Sequence, residues 1–144
     1  MQTVYLGLGS NTNFHNESSL TLLEKACFDL KKIMSNVEVS SVYRTKPMYV
    51  EDQNDFYNMV VSGQVLDDED PFEFLKKINQ IEATYGRDRA KEIRFGPRSL
   101  DIDIEIFGNK KINTDVLQIP HPRVKERAFV LKPIDDVAIH TILN

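Results

Sequence analysis

The chain has 144 residues, of which 41% are hydrophobic and 28% charged, the balance of one globular domain with one core. The formal net charge of -4 disfavours a protein that coats nucleic acid, because binding to a phosphate backbone needs a dominant basic surface. A single cysteine, Cys27, excludes an internal disulfide framework. No apolar run approaches the roughly 20 residues that cross a bilayer, and the N-terminus lacks the pattern of a signal peptide. We therefore expect one cytoplasmic, monomeric domain over residues 1–144, with no membrane or nucleic-acid partner.

The first two predicted elements are a strand and an amphipathic helix. Residues 3–8 alternate apolar side chains with smaller or polar ones and end at a Gly-Ser-Asn turn, which is typical of a strand. After Ser18 and Ser19, apolar residues recur at three- and four-residue steps. This spacing predicts a helix whose buried stripe consists of Leu20, Leu23, Cys27, Leu30 and Met34. Cys27 is interpreted as a small core residue.

The remaining elements complete a recognisable order. Residues 37–44 and 57–65 are rich in β-branched and aromatic side chains and predict two strands, separated by the long polar connection TKPMYVEDQND. Asp70 and Pro71 predict the start of a second helix and Gly86 its end, and residues 100–107 predict a fourth strand. The order indicates an α+β fold with a ferredoxin-like βαββαβ core. In this fold both helices pack on one face of an antiparallel sheet, and here a short C-terminal extension follows.

The fourth strand contains the acidic pattern RSLDIDIE. Asp101, Asp103 and Glu105 are two residues apart, so their α-carbons would lie about 7 Å apart along one face of the strand. Carboxylates this close repel one another unless a cation joins them. Oxygen ligands of this kind favour Mg²⁺, which typically binds one or two protein carboxylates together with phosphate oxygens and water. The pattern therefore predicts a nucleotide site, with an ordinary solvated acidic face as the alternative.

A basic segment, GRDRAKEIRFGPR, comes directly before the acidic strand. Its cations outnumber its two carboxylates and comprise Arg87, Arg89, Lys91, Arg94 and Arg98. Phosphoryl transfer needs positive charge around the phosphate oxygens, and arginines supply this charge with bidentate geometry. The pairing of a basic segment with an acidic strand favours phosphoryl transfer over a solvated basic loop.

A third cluster lies in IPHPRVKERAFVL, where two prolines flank His121. This His is either a ligand of the nucleotide or an ordinary surface residue. The sequence contains no Gly-x-x-x-x-Gly-Lys-Ser/Thr loop, so a P-loop does not hold the nucleotide.

Taken together, these motifs resemble the family of 6-hydroxymethyl-7,8-dihydropterin pyrophosphokinases. The most specific part of the resemblance is RFGPRSLDID, and GLGSN, TKPMYVEDQNDFYN and IPHPRVKERAFVL support it in the expected order. The resemblance implies an enzyme of folate biosynthesis that moves the terminal pyrophosphate of ATP to a pterin alcohol and releases AMP. Its substrates would be ATP and 6-hydroxymethyl-7,8-dihydropterin, and two Mg²⁺ ions would accompany ATP.

The resemblance also implies the site residues. Asp101 and Asp103 would bind the two Mg²⁺ ions, and these two carboxylates would act in catalysis together with Arg87 and Arg98. The residues that would contact ATP are Arg89, Arg98, His121 and Arg127. Those that would contact the pterin are Thr45, Met48, Phe56, Asn58 and Phe129, of which Phe129 stacks on the ring and Asn58 binds its edge.

The sequence departs from the family pattern at several positions. Glu105 stands where an aliphatic residue is usual, Asn54 replaces a frequent proline before the pterin segment, and Phe95 stands where Trp is common. Two other functions stay open on the residues alone. A two-metal nucleotidyl transferase or cyclase would use the same strand carboxylates but release pyrophosphate, and an RNA-binding module would use the basic segment.

Overall fold

The computed structural model describes residues 1–46, 54–87 and 98–122. Its main sheet contains β1 (Gln2–Ser10), β2 (Ser35–Val39), β3 (Tyr43–Thr45), β4 (Phe56–Val65) and β5 (Asp101–Phe107). The strand order is β2-β4-β1-β5, β3 also pairs with β4, and each pairing is antiparallel. Two helices, α1 (Ser19–Leu30) and α2 (Pro71–Thr84), connect the strands. The predicted antiparallel sheet with two helices is confirmed.

The ends of both helices follow from local sequence. The Ser18 side chain accepts a hydrogen bond from the backbone N–H of Thr21, which makes Ser18 the N-cap of α1. Asp70 caps α2 by accepting from the N–H of Phe72, and Pro71 occupies the first turn, where its missing N–H costs nothing. Gly86 follows α2 with φ +95, a left-handed conformation that favours glycine and ends the helix.

Both helices cover the same face of the sheet, which we call the helix face. Val4, Leu6 and Leu8 of β1 are buried there. They belong to one apolar core that also contains Leu23, Ala26 and Leu30 of α1, and Phe74, Ile78 and Ile81 of α2. Alternate residues of the strands point to the opposite face, which we call the open face. The sheet therefore keeps its apolar core on one side and a different set of residues on the other.

Three details differ from the pattern-based expectation. The predicted strand 37–44 is split into β2 and β3, because the Ser40 hydroxyl accepts from the N–H of Val60 and interrupts the ladder. Leu20 is 52% exposed, and the buried stripe of α1 is turned toward Leu22 and Ala26. After Gly108, the strands β6 (Ile112–Asn113) and β7 (Gln118–Ile119) form a small hairpin.

Candidate active site

The two predicted metal-binding carboxylates lie on the open face opposite two glycines. Asp101 pairs with Gly9 of β1 and Asp103 with Gly7, so neither carboxylate meets a side chain across the ladder. Directly paired residues point to the same side of a sheet. At both glycines a neighbouring side chain occupies the space that a Cβ would need: Glu105 Oε1 lies 2.6 Å from that point at Gly7, and Asn58 Oδ1 lies 3.0 Å from it at Gly9. Any residue other than glycine would therefore crowd the open face beside Asp101 and Asp103.

Asn58 lies in the same lateral row. It pairs with Gly9 on the side away from Asp101, is 5% exposed, and places its Oδ1 atom 3.0 Å from the point that a Cβ of Gly9 would occupy. Two strand spacings separate Asn58 from Asp101, a distance of about 10 Å between α-carbons. Phe56 is two residues before Asn58 on β4 and points to the same face. Predicted pterin residues and predicted metal ligands therefore share one face.

Arg87 is held between two carboxylates. Its Nη1 atom donates to Glu82 Oε2 at 2.6 Å and also contacts Asp101 Oδ1. The same Glu82 oxygen accepts the backbone N–H of Ile102 at 2.9 Å. Glu82 thereby links the end of α2, the first arginine of the basic segment and the acidic strand.

Glu82 is a site residue that sequence reasoning missed. It follows Phe74 and Ile78 at four-residue intervals on the buried face of α2, and it is 1% exposed. A carboxylate in an apolar helix stripe is rarely fully buried unless it is paired. That position is the signal that could have identified it.

Glu105 is fully buried, at 0% exposure, which excludes the alternative of a solvated acidic face at this position. The register between β1 and β5 shifts at Tyr5 and Leu6, so Glu105 is the extra residue of a β-bulge. Its Oε1 atom lies 2.6 Å from the point that a Cβ of Gly7 would occupy. Its carbonyl accepts the N–H of His121 at 2.8 Å, which brings this half-buried His beside the acidic strand.

The other predicted residues fall into two groups. The half-buried Arg98 lies three residues before β5, and Thr45 pairs with Phe56 at the end of β3. Four predicted residues lie outside the described part of the chain, namely Met48, Arg89, Arg127 and Phe129. Their roles stay predictions.

The carboxylates of Asp101 and Asp103 suit Mg²⁺ better than a metal ion whose ligands all come from the protein. Among residues 1–46, 54–87 and 98–122, no group of three His, Cys, Asp or Glu side chains is placed to hold a metal ion. Mg²⁺ usually takes one or two carboxylates and completes its shell with phosphate oxygens and water. Asp101 and Asp103, which share the open face, are the predicted carboxylates of such a partial site.

Cys27 lies apart from the site and is not a reactive thiol. Burial raises the pKa of this thiol, and its Sγ atom contacts Met59 Sδ at 3.7 Å in the core. A raised pKa reduces the thiolate fraction at neutral pH, so reactivity falls. The interpretation of Cys27 as a core residue agrees with this environment.

Nearly the whole chain matches a known protein family. The model of the 7,8-dihydro-6-hydroxymethylpterin-pyrophosphokinase family matches residues 5–139. The chain belongs to this family. Membership confirms the prediction made from the motifs, an ATP-dependent pyrophosphokinase of folate synthesis, and it disfavours the nucleotidyl transferase alternative.

Similar proteins differ in length. The 2-amino-4-hydroxy-6-hydroxymethyldihydropteridine pyrophosphokinase of Bacillus subtilis is 40% identical over 92% of this chain and 76% of its own length. The protein of the same name from Aquifex aeolicus is 34% identical over 99% of this chain and 84% of its own length. The folic acid synthesis protein fol1 of Pneumocystis carinii is 41% identical over 95% of this chain, which spans only 18% of that relative.

The fold also has solved counterparts. A crystal structure of Plasmodium falciparum HPPK-DHPS matches 95% of this chain and 40% of that chain, with a TM-score of 0.66 and 17% identity. At this identity the likeness concerns the fold alone. Within the described residues, neither helix is long and apolar enough to cross a membrane.

Proposed function

We propose that this pyrophosphokinase transfers the terminal pyrophosphate of ATP to the hydroxymethyl oxygen of 6-hydroxymethyl-7,8-dihydropterin. The products are AMP and the pterin diphosphate. One observation carries the proposal: Asn58, Gly9 and Asp101 form a row across three neighbouring strands on the open face. A pterin bound at Asn58 and phosphates bound at Asp101 would meet over Gly9, which presents no side chain.

The pterin occupies the β4 side of this row. The Asn58 amide both donates and accepts, which suits the mixed donor and acceptor edge of a pterin. Phe56 supplies an aromatic surface on the same face, and Phe129 stacks on the ring. Thr45, paired with Phe56, and Met48 complete the proposed pterin site.

The triphosphate occupies the β5 side. Asp101 and Asp103 would hold the two Mg²⁺ ions that accompany ATP, and these ions, when bound, would neutralise charge on the phosphate oxygens. Arg98 and Arg89, with His121 and Arg127, bind the phosphates and orient them for attack. Arg87 lies beside the proposed phosphate site, because its guanidinium contacts both Asp101 and the buried Glu82.

The chemistry is an in-line displacement at the β-phosphorus. The pterin hydroxymethyl oxygen forms the new bond to phosphorus, the bond between the α,β-bridging oxygen and the β-phosphorus breaks, and AMP leaves with that oxygen. The reaction needs no protein nucleophile. The chain contributes by aligning the two substrates and by placing Arg87 and Arg98 where negative charge develops.

The fold arrangement, oligomeric state and location of the chain are also proposed. The core is proposed to be the ferredoxin-like βαββαβ arrangement, which the strand order β2-β4-β1-β5 and the antiparallel pairings support. The chain is proposed to act as a cytoplasmic monomer on small molecules, without a nucleic-acid or membrane partner.

The test is a product analysis. The protein is incubated with ATP, MgCl₂ and 6-hydroxymethyl-7,8-dihydropterin, and nucleotides and phosphates are separated by ion-exchange chromatography. We expect AMP and pterin diphosphate in equal amounts, with no free pyrophosphate. Release of free pyrophosphate would instead identify a nucleotidyl transferase or cyclase. An absence of AMP beside an active control enzyme would refute the proposal.

A further inference from the structure

Asn11 joins the two sides of the site at the end of the central strand. It follows β1 directly and is 3% exposed. Its neighbours on either side are Arg98, which leads into β5, and Asn54, which leads into β4. Asn11 is therefore placed where the two substrate-facing strands begin.

On the β5 side, Asn11 binds both backbone groups of Arg98. The Asn11 N–H donates to the Arg98 carbonyl at 2.9 Å, and Asn11 Oδ1 accepts the Arg98 N–H at 2.8 Å. A side chain that closes such a pair fixes the position and the direction of the partner backbone. Asp101 follows three residues later, so this contact holds the approach to the first metal carboxylate.

On the β4 side, Asn11 makes a second reciprocal pair. Its Nδ2 atom donates to the Asn54 carbonyl at 3.1 Å, and its own carbonyl accepts from Asn54 Nδ2 at 3.3 Å. Phe56 and Asn58 follow on β4. Asn54 stands where proline is frequent in the family, and proline has no side-chain donor for this bond.

Regular pairing does not hold the strands together at this level. The ladders of β1 end at Gly9 opposite Asp101 and at Ser10 opposite Tyr57. Beyond these last pairs, Asn11 takes part in four hydrogen bonds, two with Arg98 before β5 and two with Asn54 before β4. One buried residue thus takes over from the ladder, with two bonds from its side-chain amide and two from its own backbone.

We propose that Asn11 is a positioning residue that holds two half-sites at a fixed separation. The phosphate half-site is Arg98, Asp101 and Asp103, and the pterin half-site is Phe56 and Asn58. This inference rests on the proposed function. Asn11 sets the distance between the pterin oxygen and the β-phosphorus, whereas each half-site binds its own substrate without it.

The prediction is a loss of turnover with retained binding. A misplacement of about 1 Å can cost about 100-fold in rate, so we expect Asn11→Ala to lower kcat at least about tenfold. The Kd of the pterin alone, and of a non-hydrolysable ATP analogue with Mg²⁺ alone, stays within about threefold of wild type. Calorimetry gives both Kd values, and AMP formation gives kcat.

Two further variants separate the halves of the junction. Asn11→Asp keeps the acceptor for Arg98 but places an oxygen against the Asn54 carbonyl, and Asn54→Ala removes only one bond. We expect kcat to fall about five-fold in Asn11→Asp and about two- to threefold in Asn54→Ala. Should Asn11→Ala not fold, these two variants decide, and a kcat equal to wild type in both overturns the inference.

Val65→Ala is the matched control for general destabilisation. Val65 is buried at the far end of β4, opposite Gln2, and its truncation lowers Tm without touching either half-site. An equal loss of kcat in Val65→Ala, or substrate Kd values that rise as much as kcat falls in Asn11→Ala, overturns the positioning role. An active wild type with an unaffected Asn11→Ala refutes this inference alone. A wild type that forms no AMP refutes the proposed function and the inference with it.

Discussion

The helix face and the open face of the sheet differ in what their central strand presents. Toward the helices, β1 presents Val4, Leu6 and Leu8, all essentially inaccessible to water. Toward the open face, the same strand presents Gly7 and Gly9, opposite Asp103 and Asp101. Because side chains alternate along a strand, a slip of one residue would exchange the core for the site. The two faces are therefore specified by a single register.

The bulge at Glu105 changes which residues of β5 face the helices and which face the open side. Before the bulge, Ile104 faces the core and Asp103 the open face, and after it Phe107 pairs with Val4 and points toward the helices. There Phe107 packs edge to face on Phe74, with ring centroids 5.5 Å apart. Helix-face substitutions should therefore mainly reduce stability, whereas open-face substitutions should mainly reduce turnover.

The largest effect is expected at the acidic pair. Asp101→Ala or Asp103→Ala should lower kcat by about 100- to 1,000-fold, because each removes a carboxylate that is proposed to hold Mg²⁺ and, through Mg²⁺, the phosphates. The fold should survive, since Arg87 keeps its contact with Glu82 when Asp101 is lost. Rates at several MgCl₂ concentrations and thermal unfolding measure both effects. A near-normal rate at low Mg²⁺ would refute the metal assignment.

Glu82→Gln tests the buried carboxylate of α2 that binds both Arg87 and the backbone of β5. The neutral amide can still accept from Ile102 but no longer compensates the charge of Arg87, so we expect about 2 kcal/mol less free energy of unfolding. Turnover should fall too, because Arg87 loses an anchoring carboxylate. Urea unfolding and kcat give the two results.

The control for this variant is Glu73→Gln on the exposed side of α2. Glu73 pairs with Lys76, and both side chains are largely exposed, so the expected change in unfolding free energy is below about 0.5 kcal/mol. Equal stability of Glu82→Gln and Glu73→Gln would contradict the structural role of Glu82.

A pair of glycine substitutions compares the faces directly. A Cβ at Gly7 would lie 2.6 Å from Glu105 Oε1 on the open face, and a Cβ at Gly63 would lie 2.8 Å from Met34 Sδ in the core. Either alanine should cost about 1–3 kcal/mol of stability through overpacking. Only Gly7→Ala should also reduce kcat, because it displaces Glu105 beside Asp103. The distinction between the faces fails if Gly63→Ala reduces kcat equally at a temperature where both variants are folded.

The fold follows from the sequence mainly where local chemistry sets it. Caps such as Ser18 and Asp70 and the left-handed Gly86 are short-range features, so pattern analysis finds them. The predicted stripe of α1 includes Leu20, but the buried residues are Leu22 and Leu23. All three are apolar, so only packing against the sheet determines which of them is buried. The split at Ser40 depends on its bond to Val60, a contact across strands that no local pattern carries.

In the site, too, contacts between distant segments of the chain could not be predicted from local sequence patterns. The spacing of Asp101 and Asp103 predicts that they share one face of a strand, since alternation alone puts them there. Their row with Gly9 and Asn58 cannot be predicted in this way, because it exists only once the order of β4, β1 and β5 is known. Glu82 lies 20 residues before Ile102, and this separation is why its hydrogen bond could not be read from either segment alone.

The smallest effect is expected at Tyr85, on the helix side. Its hydroxyl donates to Asp29 Oδ2 at 2.6 Å, which ties the end of α2 to α1. Burial, together with this bond and the Asp29 charge, raises the pKa of Tyr85 to about 12 from 10.0. The folded state therefore binds this proton more tightly than the unfolded state. Its contribution to stability is complete below pH 10 and is lost as pH rises toward 12.

Tyr85→Phe removes both the bond and this titration. We expect the variant to be about 1 kcal/mol less stable than wild type at pH 8, with unchanged kcat. At pH 11 the difference in unfolding free energy should shrink, because other groups titrate equally in both proteins and cancel. Urea unfolding at the two pH values measures it. A difference that stays constant or grows with pH would show that the Tyr85 proton does not stabilise the contact between the helices.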